Sequence, residues 1–138
     1  MGLHINADFG WSTHIDYLSI ELKKRIGVLR RIKKRVPKEK IVIIAEAIFN
    51  SLLRYGVAVF LKPIYEKEDL NMEKKPKNTA TLQTLQNNML RVIFGFKLQN
   101  RVNMKNLREE IKMMSVNQIS VYHTLLEAYN VMRHLSSE

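Results

Sequence analysis

The chain has 138 residues, 46% of them hydrophobic, which suits one domain with a modest core. It contains no cysteine, and this excludes disulfides, cysteine-ligated zinc and a thiol nucleophile. No run reaches the roughly 18 apolar residues that a membrane span needs, and the formal net charge of +10 favours a polyanionic partner.

The N-terminal part predicts a short extended segment followed by a long helix. Apolar and polar residues alternate from Leu3 to Phe9, as in an extended strand. Ser12 or Thr13 is the expected N-cap of the helix, and Val36-Pro37 is its expected end. Apolar residues that recur at intervals of three and four define its buried face: Ile15, Leu18, Leu22, Ile26, Leu29 and Ile32.

The same helix carries a dense run of positive charge. Ten Lys and Arg lie between Lys23 and Lys40, and Glu39 is the single acid among them. By the 100° step of a helix, six of the ten project about 60–200° away from the apolar face. The predicted nucleic-acid-binding residues are these six: Lys23, Lys24, Arg30, Arg31, Lys34 and Arg35. The alternative is a solvated cationic face without a ligand, which is common on surface helices.

A second helix is expected from about Pro37 to Tyr55, with Gly56 as its stop. It is apolar on most sides and is therefore predicted to be the central, most buried element. Residues 57–61 suit either a buried strand or a continuation of this helix. Residues 62–78 contain two prolines and nine charged residues, which predicts a mobile loop.

Three further helices follow in the prediction. One runs from about Thr81 to Phe94 and ends at Gly95, and a short one covers about Met104 to Met114. The last begins at a capping box of Ser115 and Gln118. It is expected to bury one stripe: Ile119, Tyr122, Leu126, Tyr129 and Met132. The sequence thus predicts an all-α fold for residues 1–138, with about five helices in a compact helical bundle and a short extended N-terminal segment.

Five segments follow one another in an order that has a counterpart in a known family. They are GLHINADFGWSTHIDYL (2–18), RIGVLRRIKKRVPKEKI (25–41), SLLRYGVAVF (51–60), LQNNMLRVIFG (85–95) and SVNQISVYHTLLEAYNVM (115–132). Together they resemble the C-terminal part of reverse transcriptases from non-LTR (LINE-type) retrotransposons. The matching positions are Gly2-Leu3, Trp11 with His14-Ile15, Ile26 to Ile32, Tyr55-Gly56 with Val59-Phe60, and Leu85-Gln86 with Arg91 to Ile93. Phe60 stands where the family usually has Trp.

The resemblance implies that the chain corresponds to the thumb that follows the polymerase palm. In the family this region is helical and packs on the primer–template duplex. The family's Tyr/Phe-x-Asp-Asp strand is absent, and Asp8, Asp16 and Asp69 do not replace it, so no catalytic residue, metal ligand or cofactor is predicted. The expected function is a thumb-like module, catalytically inactive alone, whose basic helix contacts the phosphate backbone of RNA or DNA.

Two other functions remain open on the sequence. A thumb separated from its palm exposes the apolar side chains of Leu3, Ile5 and Phe9, which predicts a protein-interaction module with a homodimer or a protein partner. The second is a translated retroelement fragment that folds without a selected role. No membrane partner is expected. The predicted location is intracellular, nuclear or cytoplasmic, and RRIKKR at 30–35 is typical of nuclear localisation signals.

Overall fold

The computed structural model describes residues 12–60, 77–97 and 100–136, with side chains for 15–57, 79–97 and 100–136. These residues are mostly helical, and they contain no β-strand. The helices are α1 (Ser12–Ile32), α2 (Lys38–Ala45), α3 (Ser51–Phe60), α4 (Lys77–Phe94), α5 (Met104–Ile111) and α6 (Val116–Ser136). A π-helical turn, Glu46–Asn50, joins α2 and α3 into one continuous α2–α3 helix. The predicted all-α fold of about five helices is confirmed.

Two predicted features fall on residues that the structure does not describe. The extended N-terminal segment is one, and the mobile loop at 62–78 is the other, except for its last two residues. Residues 77 and 78 belong to the first turn of α4, which begins four residues before the expected start at Thr81.

The corner between α1 and α2 follows from its proline. The last turn of α1 tightens into a 3-10 turn at Lys33–Arg35, and Val36 has extended backbone angles (φ −124°, ψ 136°). A residue before proline prefers this conformation because the proline ring clashes with the helical one. Pro37 then precedes Lys38, the first residue of α2. The predicted end of the first helix at Val36-Pro37 is confirmed.

The predicted stop of the second helix at Gly56 is wrong. Gly56 is buried within α3, which continues to Phe60, so residues 57–60 are helical. Packing explains the continuation, because Leu52, Leu53 and Val57 are all buried on both sides of the glycine in the chain. Tertiary burial of this kind outweighs the roughly 1 kcal/mol that glycine costs a helix.

Two helices share the centre of the fold, because α4 and the α2–α3 helix each contact the other as well as α1 and α6. The contact between α1 and α4 is the most extensive between two helices. The α2–α3 helix buries Ile41, Ala45, Phe49, Leu52, Leu53 and Val57, whereas Ile43 on its other side is 62% exposed. The buried face of α4 contains Leu82, Leu85, Gln86, Met89, Leu90 and Ile93. Opposite it, the predicted apolar face of α1 is buried as expected, with Ile32 half-buried at its end.

The junction of α5 and α6 is set by local backbone chemistry. α5 ends at Ile111 and not at Met114, because Lys112 adopts a left-handed conformation (φ 59°, ψ 42°). The hydroxyl of Ser115 accepts a hydrogen bond from the Gln118 N–H at 3.2 Å. The Gln118 side chain accepts one from the Ser115 N–H at 2.9 Å. The predicted capping box is therefore confirmed.

Only the first turns of α6 belong to the core. Val116, Ile119 and Ser120 are buried, whereas every residue from 124 to 136 is exposed. The predicted buried stripe is wrong for four of its five members. The side chains of Tyr122, Leu126, Tyr129 and Met132 are 41–68% exposed. The apolar periodicity continues along α6, but other described residues pack only against the first turns of this helix.

Candidate nucleic-acid interface

The ten basic side chains between Lys23 and Lys40 divide into two groups in the folded chain. Eight are exposed, and two are partly buried. The exposed ones are Lys23, Lys24, Arg30, Arg31, Lys34, Arg35, Lys38 and Lys40. All six residues predicted from the sequence are in this group, and we call these six the basic surface. Lys38 and Lys40 extend the exposed charge onto α2.

Arg25 and Lys33 are directed at the fold. The guanidinium of Arg25 donates a hydrogen bond to the carbonyl of Ile48 at 2.7 Å, which ties α1 to the π-helical turn. The ammonium of Lys33 donates to the carbonyl of Val92 at 2.9 Å, in the last turn of α4. Carbonyls at a helix C-terminus lack intrahelical partners and carry partial negative charge, so a cation there is stabilising. These two charges therefore have a structural role.

The basic surface is held on a rigid support. Leu22, Ile26 and Leu29 on the opposite side of α1 are at most 7% exposed, so the helix cannot roll without opening the core. The six cations are thus presented at fixed spacings along one helix and the 3-10 turn that follows it.

Little acid opposes this charge. Lys24 pairs with Glu21 at 3.1 Å, but the Lys24 side chain is 68% exposed, so the pair is well solvated and weak. The other five residues of the basic surface form no ion pair with a carboxylate in the described part of the chain. The surface is therefore a concentration of positive charge that an external anion can neutralise.

An open groove of about 210 Å³ lies at the C-terminal end of the basic surface. It is lined by Lys33, Lys34, Val36, Lys38, Ile41, Ile93, Phe94 and Gly95. The ammonium of Lys33 already bonds the carbonyl of Val92, so the groove offers the exposed Lys34 and Lys38 to a ligand. The groove therefore continues the basic surface and adds Lys38 to it, beside an apolar floor.

A second polar cluster lies inside the bundle and is centred on the fully buried Gln86. Its Nε2 donates to the carbonyl of Met114 at 2.9 Å and to Oδ1 of Asn50 at 3.3 Å. Its Oε1 accepts from Nε2 of Gln83 at 2.9 Å. Oε1 of Gln83 in turn accepts from the N–H of Val116 at 3.0 Å. The cluster joins α4 to the π-helical turn and to the α5–α6 junction, so it is structural.

The same face of α4 holds α5 through Asn87. Its Oδ1 accepts from the guanidinium of Arg108 at 2.7 Å and from Gln83 at 3.0 Å. Burial lowers the pKa of Arg108, and the neighbouring Glu109 carboxylate opposes that shift. Arginine has so high an intrinsic pKa that the group stays charged at neutral pH.

Arg91 has a structural role of the same kind. Its guanidinium donates to the carbonyls of Lys97 at 3.2 Å and Asn100 at 3.0 Å, which holds the chain that leaves α4. Gln86 and Arg91 both stand in the 85–95 segment on which the family resemblance partly rests. In this fold they position backbone, and neither belongs to the basic surface.

Among the residues that the structure describes, no three His, Asp or Glu side chains come together as a metal-binding group. Within the same residues, no helix has the length and apolarity required to cross a membrane.

Comparison of the chain with models of protein families, with curated proteins and with solved structures finds no match. The resemblance to non-LTR reverse transcriptases rests on the five quoted segments and stays a prediction.

Proposed function

We propose that this chain is a nucleic-acid-binding, thumb-like module that contacts the phosphate backbone through the basic surface. One observation carries the proposal: six basic side chains are exposed on a helix whose opposite side is buried in the core. Lys and Arg that neutralise phosphates supply most of the affinity of sequence-independent binding. Polymerase activity is not part of the proposal, because the sequence lacks the Tyr/Phe-x-Asp-Asp motif of the family that it resembles.

The length of the basic surface suits this role. At 1.5 Å per residue, the path from Lys23 to Arg35 extends about 18 Å along the helix. Phosphates of one duplex strand follow one another at about 3.4 Å along the axis, so this length spans about five of them. The three arginines add planar groups that bind phosphate oxygens in pairs. A footprint of about four to six phosphates is therefore reasonable.

Helix stabilisation explains only part of the charge. Arg30 and Arg31 lie in the last turn of α1, where cations favour the helix dipole by about 0.3–1 kcal/mol each. Lys23 and Lys24 lie in the middle of the helix, where this benefit has largely disappeared. The arrangement of all six side chains therefore favours an external polyanion over a purely structural explanation.

The proposal is tested by two variants that lose the same charge from different faces. The test variant combines Arg30→Gln, Arg31→Gln and Lys34→Gln. The control variant combines Arg101→Gln, Lys105→Gln and Lys112→Gln, which are exposed positions on and beside α5. Binding to fluorescent duplex and single-stranded oligonucleotides is measured by anisotropy at low salt, and circular dichroism verifies that both variants are folded.

We expect the test variant to bind at least about tenfold more weakly and the control variant to lose less than about threefold. Equal losses would mean that net charge attracts the ligand without a defined surface. Wild-type protein that fails to bind either oligonucleotide would overturn the proposal.

A further inference from the structure

The C-terminal part of α6 presents a continuous apolar surface, which we call the α6 stripe. It consists of Tyr122, Leu125, Leu126, Tyr129 and Met132, which are 51%, 58%, 41%, 61% and 68% exposed. The 100° step of the helix gathers these five side chains within a sector of about 120°. Isolated exposed apolar residues are ordinary, but a contiguous stripe of this kind marks a contact surface.

The spacing of the stripe suits a second helix. Tyr122, Leu125, Tyr129 and Met132 recur at alternating intervals of three and four, as in the seam of two paired helices. The buried side of α6, at Val116, Ile119 and Ser120, lies on a different sector of the helix. The stripe can therefore take a partner while the first turns of α6 stay in the core.

Charge indicates which partner fits. The chain has a formal net charge of +10, so most contacts between two copies would bring like charges together. Along α6 this repulsion is small, because its Asp, Glu, Lys and Arg residues are one acid, Glu127, and one base, Arg133. Pairing along α6 therefore brings few like charges of the two copies into contact.

The area is sufficient for such a pair. With large side chains of about 200 Å² each and the exposures given above, the stripe offers roughly 500 Å² per copy. Two copies would then bury roughly 1,000 Å², which reaches the lower limit for a specific interface. A two-fold arrangement uses the same stripe on both sides, which is the commonest form of homodimer.

We propose that the α6 stripe is a homodimer interface, in which α6 pairs with α6 of a second copy around a two-fold axis. This inference is independent of the basic surface. It differs from the dimer expected through Leu3, Ile5 and Phe9, which lie outside the described residues. The dimer would carry two basic surfaces, so one molecule could engage two sites on a nucleic acid.

Two matched substitutions test the interface. Leu125 and Val131 are both 58% exposed, but they lie about 120° apart around α6, and only Leu125 belongs to the stripe. Sedimentation equilibrium is measured at about 5–100 μM protein for the wild type, Leu125→Glu and Val131→Glu. Each protein is studied at about 0.1 M and about 0.5 M salt, because screening weakens the repulsion between two cationic chains.

We expect a wild-type monomer–dimer equilibrium that tightens as salt rises. Leu125→Glu should weaken the dimer at least about tenfold, since it places two unpaired charges in the interface, whereas Val131→Glu should leave it unchanged. A monomer at every concentration and salt, equal effects of the two variants, or open-ended association would overturn the proposal.

Chemical crosslinking gives a second measurement. The chain contains no cysteine, so single cysteines can be introduced by Tyr129→Cys and Val131→Cys. A short thiol-reactive crosslinker should join two copies efficiently at position 129 and poorly at position 131. Equal yields at the two positions would contradict the two-fold contact. Loss of nucleic-acid binding by these cysteine variants would not contradict it, because the stripe and the basic surface lie on different helices.

Discussion

The ammonium group of Lys33 donates a hydrogen bond to the backbone carbonyl of Val92 at 2.9 Å. This bond joins the end of the basic helix to the last turn of α4. The next residue, Lys34, is exposed and belongs to the basic surface. Two adjacent lysines with the same charge therefore serve different purposes, one in the fold and one in the proposed interface.

Replacing each lysine by methionine should separate these purposes. Lys33→Met leaves the Val92 carbonyl without its cation and should lower the free energy of unfolding by about 1 kcal/mol, because the bond is charged but only partly buried. That loss corresponds to a melting temperature about 3–5 °C lower. Lys34→Met should leave stability within about 0.5 kcal/mol of the wild type.

Affinity provides the complementary measurement for this pair. Lys34→Met should weaken nucleic-acid binding more than Lys33→Met does, because only Lys34 has a free charged end. If the two variants lose stability and affinity to the same degree, the division between anchoring and exposed lysines is wrong.

Replacing two of the glycines by alanine should change the free energy of unfolding in opposite directions. Gly27 lies within α1, and in the described part of the chain a Cβ built there meets no atom within 4 Å apart from its chain neighbours and the backbone of its own helix. Gly27→Ala should therefore raise the free energy of unfolding by about 0.5–1 kcal/mol. Gly95 ends α4 with a φ of +74°, so Gly95→Ala should lower it by about 1–2 kcal/mol. Urea unfolding measures both values, and a destabilised Gly27→Ala would show that the helix needs glycine for close packing.

Substitution of the buried Gln86 should lower the free energy of unfolding. Gln86→Leu leaves the Met114 carbonyl, Oδ1 of Asn50 and an amide proton of Gln83 without their partner, and should cost about 2–4 kcal/mol. Asn50→Leu should cost less, because Gln86 keeps its bond to Met114 and because Nδ2 of Asn50 has no partner among the residues that the structure describes.

Thermal unfolding of the two variants gives the comparison. Asn88 is exposed on the same helix, and Asn88→Leu serves as the control with an expected change below about 0.5 kcal/mol. A larger loss for Asn50→Leu than for Gln86→Leu would place the centre of the cluster on Asn50.

Local signals in the sequence predicted what depends on local chemistry. The proline corner after α1, the stop at Gly95 and the capping box of Ser115 follow from backbone preferences that act over a few residues. The apolar face of α1 was also predictable, since its period is that of a helix packed on one side. The exposed cations of α1 follow from the same period, because they lie away from that face.

Long-range packing decided the features that the sequence did not predict. Gly56 lies inside a helix because leucines and a valine on both sides of it are buried. The anchoring roles of Arg25 and Lys33 depend on carbonyls 23 and 59 residues away in the chain. A buried network around Gln86 required the π-helical turn, α4 and the α5–α6 junction to meet. The α6 stripe has the spacing of a buried helix face, but that spacing does not indicate whether the surface that covers it belongs to the same chain or to a second one.

The salt dependence of nucleic-acid affinity tests the central claim most directly. The logarithm of the binding constant for duplex DNA is plotted against the logarithm of salt concentration, for the wild type and for the variant with Arg30, Arg31 and Lys34 changed to Gln. We predict a wild-type slope of about −4 to −5, and a slope about 2–3 smaller in magnitude for the variant. A wild-type slope near zero, or the same slope for both proteins, would contradict binding through the basic surface.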